Sequence, residues 1–140
     1  MILTVKALSL EMAKKMADAA ESVAFKEGLK IVIAIMDNHG NLKYYRRMDG
    51  NNVVSVKMAP LKALTSASIP ISTKDLAKRN EAIPNGPYLG IPGIVLLEGG
   101  LPIITKDGQH IGSIGISGST PEQDGVCAQA GLDAIEEGRD

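Results

Sequence analysis

Aromatic side chains are almost missing from this chain. Its 140 residues hold no tryptophan, one phenylalanine (Phe25) and three tyrosines (Tyr44, Tyr45 and Tyr88). The core must be assembled from Ile, Leu, Val, Ala and Met, and stacking platforms for nucleic-acid bases are hard to build. A single cysteine, Cys127, excludes an internal disulfide. Two histidines, His39 and His110, with no H-x-x-x-H and no C-x-x-C spacing, exclude a closed zinc site, so no metal is expected. Neither sign of charge is in excess: 15 Lys and Arg face 16 Asp and Glu, for a net charge of −1. That balance argues against nucleic acid as a partner. No apolar run approaches the roughly 18 residues of a membrane-spanning helix. The N-terminus lacks a basic region followed by a long apolar stretch, and together with the lone cysteine this favours the cytoplasm.

What is present suits one folded domain over residues 1–140, since 44% of residues are hydrophobic and 22% charged. Ser9 reads as a helix N-cap, and residues 10–27 show helical periodicity with Met12, Ala13, Met16, Ala17, Ala20, Val23 and Ala24 on one face. Phe25 falls on the polar side of that helix, which suggests an interface. Ile31 to Met36 is an apolar run too short for a helix and is expected to be a central strand. Asp37 to Asn41 is turn chemistry, and Leu42 to Met48 returns as the hairpin partner. Asn51 or Asn52 can cap a second helix through about Ser68, with Pro60 predicting a kink or a late start. Ser72 and Asp75 begin a third helix ending near Asn80.

Most of the 15 glycines and 7 prolines fall between residues 84 and 125. Residues 81–93 form a long shaped loop, with Tyr88 or Leu89 expected to insert toward the sheet and wall a pocket. Strands are expected over Ile94 to Leu97, Leu101 to Thr105 and Gln109 to Ser117, the middle one at an edge because Pro102 cannot donate to a ladder. Thr120, Pro121 and Gln123 make a capping box for a last helix to about Glu137. The order is α-β-β-α-α-β-β-β-α, an α+β fold with helices packed on an antiparallel sheet.

No catalytic constellation is visible. The strongest local feature is Gly115-Ile116-Ser117-Gly118-Ser119-Thr120, a glycine-rich strand end running into a helix start, whose N–H groups can hold an anion or simply cap the helix. The spacing Gly112-x-x-Gly115-x-x-Gly118 can instead admit the close approach of a helix or another subunit. A haem or corrinoid would need an apolar slot and often an axial ligand, and the soft donors are Met12, Met16, Met36, Met48, Met58 and the two histidines.

Several segments resemble the GlcG/HbpS family, which includes the C-terminal domain of PduO-type cobalamin adenosyltransferases. They are Leu8 to Ala13, Ile33 to Asp37 with Gly40-Asn41-Leu42, Arg47-Met48-Asp49-Gly50, Gly99 to Ile103, and Gly112 to Asp124. The resemblance covers nearly the whole chain in order. It implies a profilin-like fold with a five-stranded antiparallel sheet, and assembly with itself into dimers and commonly octamers. It also implies a tetrapyrrole ligand, haem ahead of cobalamin, in bacterial pathways of glycolate, diol or glycerol utilisation. The family's haem-binding members look to use a first-helix histidine. Residues 10–27 have none, which leaves Met12 and Met16 as the nearest substitutes for an axial ligand. The candidate ligand-binding residues are Ser117, Gly118, Ser119, Thr120, Tyr88, Leu89 and Met48. Two other readings stand beside the tetrapyrrole one. One is an enzyme or sensor holding an organic acid or phosphate at the 117–120 turn, and the other is a ligand-free structural or regulatory subunit.

Overall fold

Side-chain caps fix where the helices of this chain begin. In the computed structural model, which describes residues 1–140, Ser9 accepts the Met12 N–H and starts α1, Leu10–Lys26. Asn52 accepts the Ser55 N–H and starts α2, Val53–Ser68. Ser72 accepts the Asp75 N–H and starts α3, Thr73–Ala82. Thr120 and Gln123 close the expected capping box at the head of α4, Pro121–Asp133. Each cap satisfies a donor that the first helical turn would otherwise leave unpaired. Pro60 lies inside α2, which runs on through it, so the late start does not occur. The tight packing of α2 on the sheet, described below, outweighs the one backbone bond lost there.

The strands are β1, Val32–Asp37; β2, Leu42–Arg47; β3, Gly100–Ile104; and β4, His110–Ser117. They form one antiparallel sheet in the order β2-β1-β4-β3. β3 is an edge strand, as Pro102 requires. The sheet has four strands, and the expected strand over Ile94 to Leu97 does not form. That segment finds hydrogen bonds elsewhere: Val95 donates its N–H to Thr65 Oγ1 on α2, and Ile94 donates to the carbonyl of Ile91 within a turn. A short apolar run is consistent with a strand, but here a helix side chain takes the donor that a ladder would have used. The element order is therefore α-β-β-α-α-β-β-α, with a short 3₁₀ turn at Pro87–Gly90 and another at Glu136–Gly138.

The alternation of β1 divides the core in two. Ile33 and Ile35, joined by Ile103, Ile114 and Ile116, face the small residues of α1 and α4, including Ala13, Ala17, Ala20, Cys127 and Ala128. Val32, Ala34 and Met36 face Ala59 and Ala63 of α2. The small residues let the helices lie close on both faces. The closest approach is at Gly115, where a Cβ would stand 2.2 Å from the carbonyl oxygen of Ala59 and 2.4 Å from the nitrogen of Ala63. Gly115 thus seats α2 on the sheet, whereas a Cβ at Gly112 would meet the Met36 carbonyl of β1.

One buried ion pair ties these layers together at the head of α4. Lys62 of α2 and Asp124 of α4 are 2% and 1% exposed. Lys62 Nζ lies 3.0 Å from Asp124 Oδ2 and also donates to the Ile116 carbonyl at 2.9 Å. Asp124 Oδ1 accepts the Ser119 N–H at 3.0 Å.

Candidate functional site

A cleft of about 890 Å³ opens at one end of the sheet, at the large end of the range for small-molecule sites. Its walls come from three places that the fold brings to one end of the sheet. The second half of α1 supplies Asp18, Glu21, Ser22, Phe25 and Lys26. The turn into β1 supplies Gly28, Leu29 and Lys30, and the end of β2 supplies Arg47, Met48 and Asp49. Gly28 stops α1 with a φ of +69°, a left-handed conformation that most side chains resist, and so aims the next residues along the cleft.

The floor is apolar and the rim is charged. Leu29 and Met48 are half-buried against the core, whereas Phe25 is 79% exposed. Arg46, next to the cleft on β2, binds Asp18 at 2.8 Å and stands 3.6 Å from Glu21. Its other nitrogen donates to the Tyr44 hydroxyl at 2.7 Å. Arg46 thereby offsets one of the two negative charges at Asp18 and Glu21, and Asp49 has no cation partner. Lys26, Lys30 and Arg47 have no ion-pair partner, so the rim presents free cations beside an apolar floor.

Of the residues singled out from the sequence, Met48 lines this cleft. Ser117 and Gly118 sit at the same end of the sheet, because Val32 pairs with Arg47 on one side and Ser117 on the other. A Cβ at Gly118 would stand 2.4 Å from the Lys30 carbonyl, so the turn lies directly behind the cleft's own turn. Within the 117–120 turn, the Ser119 N–H is held by Asp124, and Thr120 caps the Gln123 N–H. Ser119 and Thr120 thus serve the head of α4.

Tyr88 and Leu89 lie on the 3₁₀ turn, and of the two it is Leu89 that does not insert. Leu89 is 71% exposed, and Tyr88 is half-buried with its N–H held by Asn80 Oδ1 at 3.0 Å. Neither lines the cleft. The asparagine at the end of α3 orders this loop in place of an apolar anchor. Met16 is completely buried in the core, and Met12 is half-buried against it. Neither lines the cleft, because the face that carries them looks onto the sheet.

Both histidines stand far from the cleft. His39 occupies the β1–β2 turn and His110 opens β4, beyond Asp37 at the other end of β1. The six residues of β1 separate the two ends, about 16 Å at the rise of a strand. His110 Nε2 is 3.0 Å from the Gly112 carbonyl oxygen, and burial holds its pKa below the ordinary value. Cys127 is fully buried, and its thiol is pushed up to about 11 by burial, with Asp124 and Glu27 adding to the effect. It is no nucleophile at neutral pH.

What sequence reasoning missed was the cation set. Lys26, Lys30 and Arg47 are far apart in the chain, and only the turn at Gly28 and the β1–β2 register bring them together.

An α+β architecture of four helices on a four-stranded antiparallel sheet, with one charged-rimmed cleft, defines the class. Comparison with known proteins places the chain within that class. Residues 8–133 match the model of the family described as haem degrading protein HbpS-like. The chain belongs to this family, the GlcG/HbpS family to which its motifs point. It is 33% identical over 135 residues to an uncharacterized 15.0 kDa protein from the dhaT-dhaS intergenic region of Citrobacter freundii, covering 93% of each chain. The crystal structure of the Klebsiella pneumoniae protein ORFY superposes with a TM-score of 0.88 at 31% identity, covering 96% of this chain and 94% of that one. A structure described as a PduOC:heme complex superposes with a TM-score of 0.85 at 32% identity, covering 93% and 96%. No helix is long and apolar enough to cross a membrane.

Proposed function

We propose that this protein is a haem-binding accessory protein, and that the cleft between α1 and the end of β2 receives the tetrapyrrole. The observation that carries the reading is the cleft's chemistry. A haem is a flat apolar ring with two carboxylates on one edge. The cleft offers an apolar floor of Leu29 and Met48, an exposed Phe25, and free cations at Lys26, Lys30 and Arg47. In this reading the apolar residues would meet the ring and the cations its carboxylates, with Asp18, Glu21 and Asp49 on the same lining. When bound, haem supplies an iron centre, and this chain's residues set its orientation and its exposure to water. The similarity to a chain described as complexed with heme, and membership of a family described as haem degrading, support the same reading. Haem is placed ahead of cobalamin because the corrin ring is more crowded on both faces and carries amide arms in place of carboxylates.

The biological setting we propose is a cytoplasmic, homo-oligomeric protein, a dimer or octamer, serving diol, glycerol or glycolate utilisation. An exposed Phe25 on the cleft rim supports self-association, since burying it against a second chain would both remove apolar surface from water and close the cleft. Titration of the full chain with ferric hemin tests the ligand. A saturable Soret shift at micromolar protein is expected, weakened in the variant Lys30→Glu with Arg47→Glu. Absence of a saturable shift would overturn the reading.

A further inference from the structure

We infer that the open edge of β2 is the docking surface for residues 2–5 of a second copy of this chain, which add to the sheet as a further strand. The inference rests on the self-association proposed above, and the experiment below separates the two. Residues 1–5 are an arm without a partner. Their backbone makes no hydrogen bond within the chain. Ile2 is 97% exposed, and Leu3 and Val5 are each 72% exposed. Ile2-Leu3-Thr4-Val5 is uncharged and rich in β-branched residues, the composition of a strand. The root of the arm is fixed: Leu8 is buried in the core, the Lys6 N–H donates to Gln109 Oε1 at 3.0 Å, and Lys6 Nζ lies 3.1 Å from Asp107. The arm therefore leaves the fold beside the β3–β4 turn.

The two edges of the sheet differ in what they offer an added strand. On β3 the Gly100 N–H is held by Thr73 Oγ1 at 2.9 Å, Pro102 has no N–H, and the Ile104 carbonyl accepts from Arg139 at 3.2 Å. On β2 the Met48 N–H donates to the Ile31 carbonyl, and Arg46 and Tyr44 stand opposite Ile33 and Ile35. The alternation of an antiparallel ladder then turns the N–H and carbonyl of Tyr45 and Arg47 away from β1, where nothing in the chain meets them. β2 is thus the edge that can accept a strand. The arm cannot serve its own β2. From the β3–β4 turn to that edge is three strand spacings, roughly 14 Å. Four extended residues span about 14 Å at most, which leaves none to run along the strand. Nor does β2 suit a second β2: centred on Tyr45, that antiparallel pairing sets exposed Lys43 opposite exposed Arg47. A neutral arm from a second copy meets the edge without that repulsion, and every copy carries one arm and one edge.

The experiment compares the full chain with the double variant Ile2→Asp, Leu3→Asp, at tens of micromolar protein. Both side chains stand in water, and circular dichroism confirms that the variant folds. Hydrogen exchange at single amides is read beside sedimentation. In the parent, the Tyr45 and Arg47 amides should exchange about a hundredfold more slowly than in a free peptide. In the variant that protection should fall by about tenfold or more, with a shift to smaller species, while the inward amides of Tyr44 and Arg46 stay protected. An assembled parent whose Tyr45 and Arg47 amides exchange freely would overturn the inference and leave self-association intact. Protection that survives in the variant would overturn it too, since pairing of β2 with β2 or with an unrelated chain would then cover the edge. A parent of single-chain mass would overturn both.

Discussion

Replacing Lys62 with methionine isolates what the buried ion pair does. Lys62→Met keeps the length and apolar stem of the side chain and removes the ammonium. Asp124 then remains 1% exposed with Ser119 as its hydrogen-bond donor and no counter-charge. Leaving one member of a buried pair uncompensated costs about 3–5 kcal/mol. Against a total stability of about 5–15 kcal/mol for a domain, that is a large fraction. In a chain of this length it lowers Tm by roughly 10–15 °C. Urea unfolding at pH 7.5 gives the cost, and pH gives a second signature. Burial raises the Asp124 carboxyl above its ordinary value, and the Lys62 ammonium and the Ser119 N–H partly oppose that. A raised folded pKa means that the folded state holds the proton after the unfolded state has lost it. This group therefore favours folding at low pH, and that contribution is lost as pH rises from the unfolded value through the folded one. Without Lys62 the window extends further upward, so Lys62→Met should cost less at pH 5 than at pH 7.5. The double variant Lys62→Met with Asp124→Leu should recover about 2 kcal/mol of the single variant's loss. A cost below about 1 kcal/mol, or a double variant whose loss equals the sum of the singles, would refute the argument.

Gly115→Ala should destabilise by about 3 kcal/mol or more, because the new methyl meets backbone atoms of α2 and no flexible side chain can yield; chemical denaturation reads it. Thr120→Ala should cost about 1 kcal/mol through loss of the cap at α4, and an unchanged Tm would show that the capping box contributes nothing. Asp107 should titrate at about 2 by NMR, because Thr105 and then Lys6 hold its carboxylate form. The stability it lends is present above the ordinary carboxylate range and lost as pH falls through about 2. Cys127 in the native protein should resist alkylation at pH 8 and react after unfolding, consistent with a buried thiol at about 11; fast native labelling would contradict it.

Local signals in the sequence carried most of the fold. Ser9, the pair Asn51 and Asn52, Ser72 and Thr120 marked all four helix starts, with Asn52 the actual cap of α2, since capping depends on residues within three positions. Pro102 placed β3 at the edge. Ile94 to Leu97 misled, because its fate is set by Thr65, some thirty positions away, and no local pattern records that partner. Leu89 misled for a similar reason: apolar content suggested insertion, but Asn80 holds the Tyr88 N–H in that loop and Leu89 stays in water. The site was legible only in part. Met48 could be flagged from its motif, whereas the cations around it come together only once α1, the Gly28 turn and β2 are folded.

The account's central claim is that the cleft bounded by α1 and the end of β2 receives a tetrapyrrole. Amide NMR shifts on addition of zinc protoporphyrin to the full chain test it most directly. The account predicts saturable shifts centred on Phe25, Leu29, Lys30 and Met48, with residues around His39 and His110 unmoved. Shifts centred on the turn at Ser117 to Thr120, or on Tyr88 and Leu89, or no saturable shifts at all, would contradict it.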